Sequence, residues 1–132
     1  MPELVIIRGL PGSGKTTMAK KQFPEYVHCE ADAFQTIDGV YTFKLKEVPV
    51  AHAFCLYKAF NGLVSGHSVV VSNTFTTISE ILPYIRFAQK YGIPYRVFEC
   101  KGKYGTAHGV PPVTLADMEA RWEVITDESF VN

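Results

Sequence analysis

The chain has 132 residues, 47% of them hydrophobic and 20% charged, enough for one domain with a real core but short for an α/β nucleotide-binding fold. Its 13 basic residues offset 13 acidic ones, which excludes the overall basic footprint of a strong nucleic-acid binder while leaving room for a local patch. No apolar run approaches the roughly 18–20 residues of a membrane span, the N-terminus lacks the basic region and apolar run of a signal peptide, and Cys29, Cys55 and Cys100 have neither C-x-x-C nor metal-ligand spacing, so a cytoplasmic protein with reduced, buried cysteines and no membrane partner is expected.

Glu3 to Arg8 is a continuous apolar run that ends at a turn, the pattern of a central strand covered on both faces. From Lys15 to Gln22 a helix is expected, with Met18, Ala19 and Phe23 on its apolar side and Pro24 as its stop. Tyr26 to Cys29 reads as a second strand, and Glu30-Ala31-Asp32-Ala33-Phe34 as a turn at the carboxyl edge of the sheet. Gln35 to Lys46, with the turn signal Asp38-Gly39, reads as a loop or short excursion over the site. The longest helix is expected from Pro49 to Gly66, its apolar side being Val50, Phe54, Tyr57, Phe60 and Val64. Val69-Val70-Val71 marks a third buried strand. Thr77-Ile78-Ser79-Glu80 has capping-box form ahead of a helix that runs to Gly92, and Pro83 either kinks that helix or delays its regular part. Pro94 to Cys100 reads as a fourth strand. The glycine- and proline-rich stretch after it, at about 102–113, reads as a mobile lid-like loop. Thr114-Leu115-Ala116-Asp117 resembles a second capping box, and Leu115, Met118, Trp122 and Ile125 give a last helix one apolar side. This alternation predicts a single three-layer α/β domain over 1–132, with a parallel sheet of about four strands and helices on both faces.

The stretch Gly9-Leu10-Pro11-Gly12-Ser13-Gly14-Lys15-Thr16-Thr17 fits the phosphate-loop pattern G-x-x-x-x-G-K-[ST] between a buried strand and a helix. A triphosphate has much charge and little shape, so converging backbone N–H groups, one ammonium and a metal ion hold it best. Gly9, Pro11, Gly12, Ser13, Gly14, Lys15, Thr16 and Thr17 are therefore the expected nucleotide-binding residues. Lys15 is placed to reach the β- and γ-phosphates, and the Thr16 hydroxyl to meet a Mg²⁺ ion bridging them. ATP and Mg²⁺ are the cofactors expected.

Phosphoryl transfer needs positioning and charge neutralisation more than covalent chemistry. Asp32, following the second strand, is the candidate general base that accepts the proton of an attacking hydroxyl; a turn or helix-capping aspartate is the plainer reading. Asn73, at the end of the third strand, stands where a metal-orienting carboxylate is common, and is expected to act on the metal indirectly through a bound water or Thr16; stabilising a turn is the plainer reading. Lys101, Lys103 and His108, in or beside the loop, and Arg121 after the last helix are cations that could close on the phosphates. Arg121 is taken with Asp32 and Lys15 as the catalytic set. His52 reads as a packed or exposed histidine.

Together these residues resemble the small P-loop kinases related to the 5′-hydroxyl polynucleotide kinases of bacteriophages. The likeness runs through the phosphate loop, Glu30-Ala31-Asp32, Gly39-Val40-Tyr41-Thr42-Phe43, Ala51-His52, Val69-Val70-Val71-Ser72-Asn73-Thr74-Phe75, His108-Gly109-Val110-Pro111 and Arg121-Trp122. It implies a general-base role for Asp32. It also implies a hydroxyl acceptor on a nucleic acid or nucleotide, hydroxymethylated pyrimidines of phage DNA included, and a host cytoplasm if the chain is phage-encoded. Two departures stand out: Gln35 where those kinases have an arginine that assists acceptor binding, and Asn73 where they have an aspartate. Both remove charge that an acceptor or metal would feel. An ATP-dependent kinase is the first reading and a slow or non-catalytic ATP-binding module acting through a partner the second; the residues do not speak to oligomeric state.

Overall fold

A computed structural model of the chain describes residues 2–31, 36–37, 40–41, 48–103, 111–126 and 128–130. Strand β1 (Leu4–Gly9) leads through the phosphate loop into α1 (Lys15–Gln22), followed by β2 (Val27–Cys29), the short antiparallel pair β3 (Thr36–Ile37) and β4 (Val40–Tyr41), and the long helix α2 (Val48–Val64). Then come β5 (Val69–Asn73), α3 (Ile78–Lys90), β6 (Tyr95–Cys100) and α4 (Pro112–Ala120). The main sheet has the order β2-β5-β1-β6, every pair parallel, as expected of alternating strands and helices joined by right-handed crossovers.

β1 and β5 are buried throughout because both faces of the sheet are covered. Alternate residues of β1 serve opposite layers. Leu4 and Ile6 pack with Cys55, Ala59 and Leu63 of α2 and Ile81 and Ile85 of α3, while Val5 and Ile7 pack with Ala19 and Phe23 at α1. The result is the three-layer arrangement expected, with α1 on one face and α2 and α3 on the other.

The face that α2 buries is not the one the large side chains mark. Val50, Phe54, Tyr57 and Val64 are exposed, Phe60 of the expected side packs against the core beside Tyr84 and Phe87, and the buried line is Ala51, Cys55, Ala59 and Leu63. Small residues four apart let the helix axis come close to the sheet. At Gly62 the approach is closest, since a Cβ there would lie 2.8 Å from Val69 Cγ2.

Helix α3 differs from expectation at its start. Thr77 is the N-cap residue but its hydroxyl meets side chains, Ser79 Oγ and Glu80 Oε1, and the Ile78 N–H is instead accepted by Glu123 Oε1 at 2.7 Å. Pro83 lies inside a helix that already begins at Ile78, so the regular part starts no later than the capping signal. At the C-terminal end, α4 starts at Pro112 rather than Thr114 and stops at Ala120, before Trp122. Of the expected lid-like stretch 102–113, Pro112 and Val113 are already helical, and 104–110 lie outside the described residues.

Trp122 has a different task. Arg8, fully buried at the end of β1, donates from Nε and Nη2 to Phe75 O (3.1 and 2.7 Å), from Nη2 to Thr76 O (3.3 Å) and from Nη1 to Glu123 O (2.8 Å). The Trp122 ring lies 3.8 Å from the guanidinium carbon, and Glu99 Oε1 is 3.5 Å from Nη1. A planar cation with five donors can bond three carbonyls around its edge and stack a ring on its face, which a lysine could not. Arg8 thereby fastens the C-terminal segment and the β5–α3 connection to the strand that carries the phosphate loop.

Candidate phosphate-binding and phosphoryl-transfer site

The phosphate loop runs from the carboxyl end of the central strand β1 to α1. A turn closes within it, Ser13 N–H donating to Leu10 O at 3.1 Å around the half-buried Pro11 and Gly12. Gly14 is the N-cap of α1 with φ 97°, a left-handed conformation, and has no side chain with which to cap the helix. The first-turn N–H groups of Lys15, Thr16 and Thr17 therefore need acceptors from outside the helix. Gly9 is required for space: a Cβ there would sit 2.3 Å from Ser13 Oγ and 2.9 Å from Cys100 O. Ser13 Oγ is buried with no hydrogen-bond partner. A close-set loop of N–H donors, an unpartnered hydroxyl and one ammonium fits a phosphate tail. Lys15 Nζ lies back over the loop, donating to Leu10 O at 3.2 Å.

Across from the loop, the carboxyl ends of β2 and β5 hold a polar cluster. Thr16 Oγ1 donates to Glu30 Oε2 at 3.0 Å, Ser72 Oγ donates to the same oxygen at 3.1 Å, and His28 Nε2 is 2.6 Å from Ser72 Oγ. Burial pushes the His28 pKa below its ordinary value against the opposing pull of Glu30, so the ring is neutral at neutral pH. Asn73 faces the other way. Its Oδ1 accepts the Ala31 N–H at 2.8 Å, and its Nδ2 donates to Cys55 Sγ at 3.5 Å. Of the two routes expected from Asn73 to a metal, a bound water or Thr16, the bond to Thr16 is not made and Thr16 donates to Glu30; the bond to Ala31 is of the turn-stabilising kind.

Asp32 lies outside the described residues, as do Gln35 and His108. Its neighbour Ala31 is buried and pinned to β5 by the Asn73 bond. Arg121, at the carboxyl end of α4, is exposed and donates from Nε to Thr76 Oγ1 at 3.1 Å, so it is joined to the connection after β5. Lys101 is exposed, 3.9 Å from Glu99 Oε2, and Lys103 is exposed. His52 is half-buried on α2.

All three thiols are free; Cys29 and Cys55 are buried and Cys100 only half so, burial pushing Cys29 up to about 12 and raising the other two. Among the described residues no His, Cys, Asp or Glu cluster forms a metal site of its own, and no helix is long and apolar enough to cross a membrane. A metal would then be held jointly with phosphate oxygens, as Mg²⁺ commonly is.

Three residues of the site and its frame that the sequence did not mark are Glu30, His28 and Arg8. Glu30 could have been found as a carboxylate leaving a strand on the loop side of the sheet, and Arg8 as a charge ending an otherwise apolar buried strand.

A loop-to-helix phosphate cradle at the carboxyl end of the central strand of a parallel β2-β5-β1-β6 sheet defines a P-loop domain of the kinase type. The chain belongs to the AAA domain family AAA_33, which it matches over residues 4–108. It is 33% identical over 92 residues to NEDD4-binding protein 2 of Homo sapiens, an alignment covering 67% of this chain and 5% of that protein. It is 26% identical over 146 residues to the bifunctional polynucleotide phosphatase/kinase of Schizosaccharomyces pombe, covering 98% of this chain and 32% of that one. The chain thus spans a minor part of both relatives. In fold it is similar to a sugar kinase from Janibacter, with a TM-score of 0.68 at 16% identity over 97% of this chain and 82% of the other.

Proposed function

We propose that the chain is an ATP-dependent kinase that transfers the γ-phosphate to a hydroxyl, the acceptor being a nucleic acid or a nucleotide. The observation that carries this is the joining of the segment after β2 to the phosphate-loop helix through the Thr16–Glu30 bond and to the end of β5 through the Ala31–Asn73 bond. Asp32 follows from that fixed point. The acceptor class is supported by the polynucleotide phosphatase/kinase among the relatives.

In this reading the loop N–H groups and Lys15 hold the triphosphate, and Thr16 would hold Mg²⁺. The ion, when bound, neutralises charge on the β- and γ-phosphates. Asp32 takes the proton of the acceptor hydroxyl as its oxygen bonds to the γ-phosphorus and the bond to the ADP oxygen breaks. Arg121 and the basic residues of the loop offset negative charge on the transferring group.

The direct test is labelled ATP with purified protein and a panel of acceptors: 5′-hydroxyl DNA and RNA, hydroxymethyluracil DNA, and nucleosides. Transfer to at least one is expected. No transfer to any would put a nucleotide-binding module acting through a partner in place of the kinase. The cradle has its own test in Lys15→Ala, which should weaken ATP binding by about 1.5–3 kcal/mol, the usual worth of a hydrogen bond to a charged group. Thermal stability should hardly change. Equal ATP affinity in mutant and parent by calorimetry would remove Lys15 from the site.

A further inference from the structure

Resting on the reading of the phosphate loop as a Mg²⁺–nucleotide site, we propose that Glu30 is the metal-side carboxylate that Asn73 is not. It acts as a positioning residue through Thr16. The first reason is the direction of the bond: Thr16 Oγ1 donates to Glu30 Oε2 at 3.0 Å. A hydroxyl has one proton and two lone pairs, so this donation fixes the rotor and leaves the lone pairs to a cation. A negative charge behind the hydroxyl also makes its oxygen a better ligand.

The second reason is that Glu30 is itself held. Ser72 uses its single proton on Glu30 Oε2 at 3.1 Å, so the 2.6 Å contact between His28 Nε2 and Ser72 Oγ is one in which the ring donates. The donors run from His28 to Ser72 to Glu30, and Thr16 arrives at the same oxygen from α1. Three elements, β2, β5 and α1, thus converge on one carboxylate. The third reason is that Asn73 is neutral and committed elsewhere, to Ala31 and Cys55. Its place in the strand is that of a metal-side group, but its contacts hold the turn ahead of Asp32.

The alternative, that Glu30 only ties β2 to α1, predicts a different response to charge. Glutamine keeps the length and an oxygen able to accept from Thr16, so an architectural bond survives Glu30→Gln while the charge does not. Calorimetry of ATP binding with Mg²⁺ and with EDTA reads the difference. In Glu30→Gln the Mg²⁺-dependent gain in ATP affinity should fall by about 10–100-fold, the usual loss on removing a group that orients a metal ligand. Binding in EDTA should stay as in the parent. Since Ser72 Oγ lies 3.1 Å from Glu30 Oε2, adding Ser72→Asp to Glu30→Gln returns a carboxylate to nearly the same point and should restore the gain. Ser72→Ala, which keeps the carboxylate and its Thr16 bond but removes its Ser72 donor, should lose part of the gain and serves as well should Glu30→Gln not fold. With Mn²⁺ in place of Mg²⁺, the paramagnetic resonance spectrum of the bound Mn²⁺–ATP complex should differ between parent and Glu30→Gln. An equal Mg²⁺-dependent gain in parent and mutants, or none in the parent, overturns the assignment. Because the readout is binding, a parent that binds Mg²⁺–ATP through Glu30 yet phosphorylates no acceptor leaves it standing and removes only the kinase reading.

Discussion

Replacing Arg8 with alanine should lower folding stability by about 3–5 kcal/mol, the range for removing one partner of a buried charged network. The side chain is fully buried, and its four donor contacts to carbonyl oxygens are 2.7–3.3 Å long. Burial pushes the guanidinium pKa down and Glu99, Glu80 and Glu123 push it back, but an arginine so placed stays charged. Alanine leaves the carbonyls of Phe75 and Glu123 without the arginine donor, Thr76 O keeping only the Glu123 N–H at 2.8 Å, and strips Trp122 of the plane it stacks on. For a domain of this size that corresponds to a fall in melting temperature on the order of 10–20 °C. Arg8→Lys should recover only part, since an ammonium keeps the charge but cannot reach three carbonyls in one plane. Urea unfolding measures both. A loss under about 1 kcal/mol in Arg8→Ala would show that water replaces the guanidinium, and that the C-terminal segment is fastened to β1 by other means.

What could be read before any coordinates divides by how local its cause is. The phosphate loop is legible because its geometry is set by nine consecutive residues, Gly9 to Thr17, whose spacing alone fixes a strand-turn-helix cradle. β1 and β5 are legible because burial on both faces leaves an unbroken apolar run. The face of α2 was hidden, since periodicity weighs large apolar side chains, whereas the sheet accepts the small residues Ala51, Cys55 and Ala59. The start of α3 was legible, Thr77 being the N-cap that the capping box marks, but its bonding was not: the Ile78 N–H is taken by Glu123, 45 residues away. In the site, the resemblance to the P-loop kinases points to a carboxylate missing at Asn73. That Glu30 stands in its neighbourhood follows only from β2 lying beside β5 in the sheet, with Cys29 opposite Val71. No spacing rule contains that pairing.

The Asp32→Asn variant should bind ATP as the parent does and transfer phosphate roughly 10²–10⁴-fold more slowly, the usual contribution of a general base. The expectation rests on what precedes Asp32. Ala31 is buried and its N–H is held by Asn73 Oδ1 at 2.8 Å, so the chain leaves the sheet at a fixed place beside β5. Glu30, one residue earlier, is bonded to the phosphate-loop threonine. In the proposed reading, two acidic residues two apart serve the two sides of the reaction, Glu30 the nucleotide and Asp32 the acceptor. Their mutants should then fail in different ways. Glu30→Gln loses Mg²⁺-dependent affinity for ATP, while Asp32→Asn keeps that affinity and loses the rate of the chemical step. The measurement is single-turnover transfer to whichever acceptor the parent uses, beside calorimetry with Mg²⁺ and ATP. An unchanged transfer rate in Asp32→Asn would make Asp32 a turn residue and place the base elsewhere. A loss of ATP affinity with the rate at saturating ATP unchanged would put Asp32 on the nucleotide side with Glu30, since an interaction lost equally from bound nucleotide and from the transition state weakens binding without slowing the chemical step.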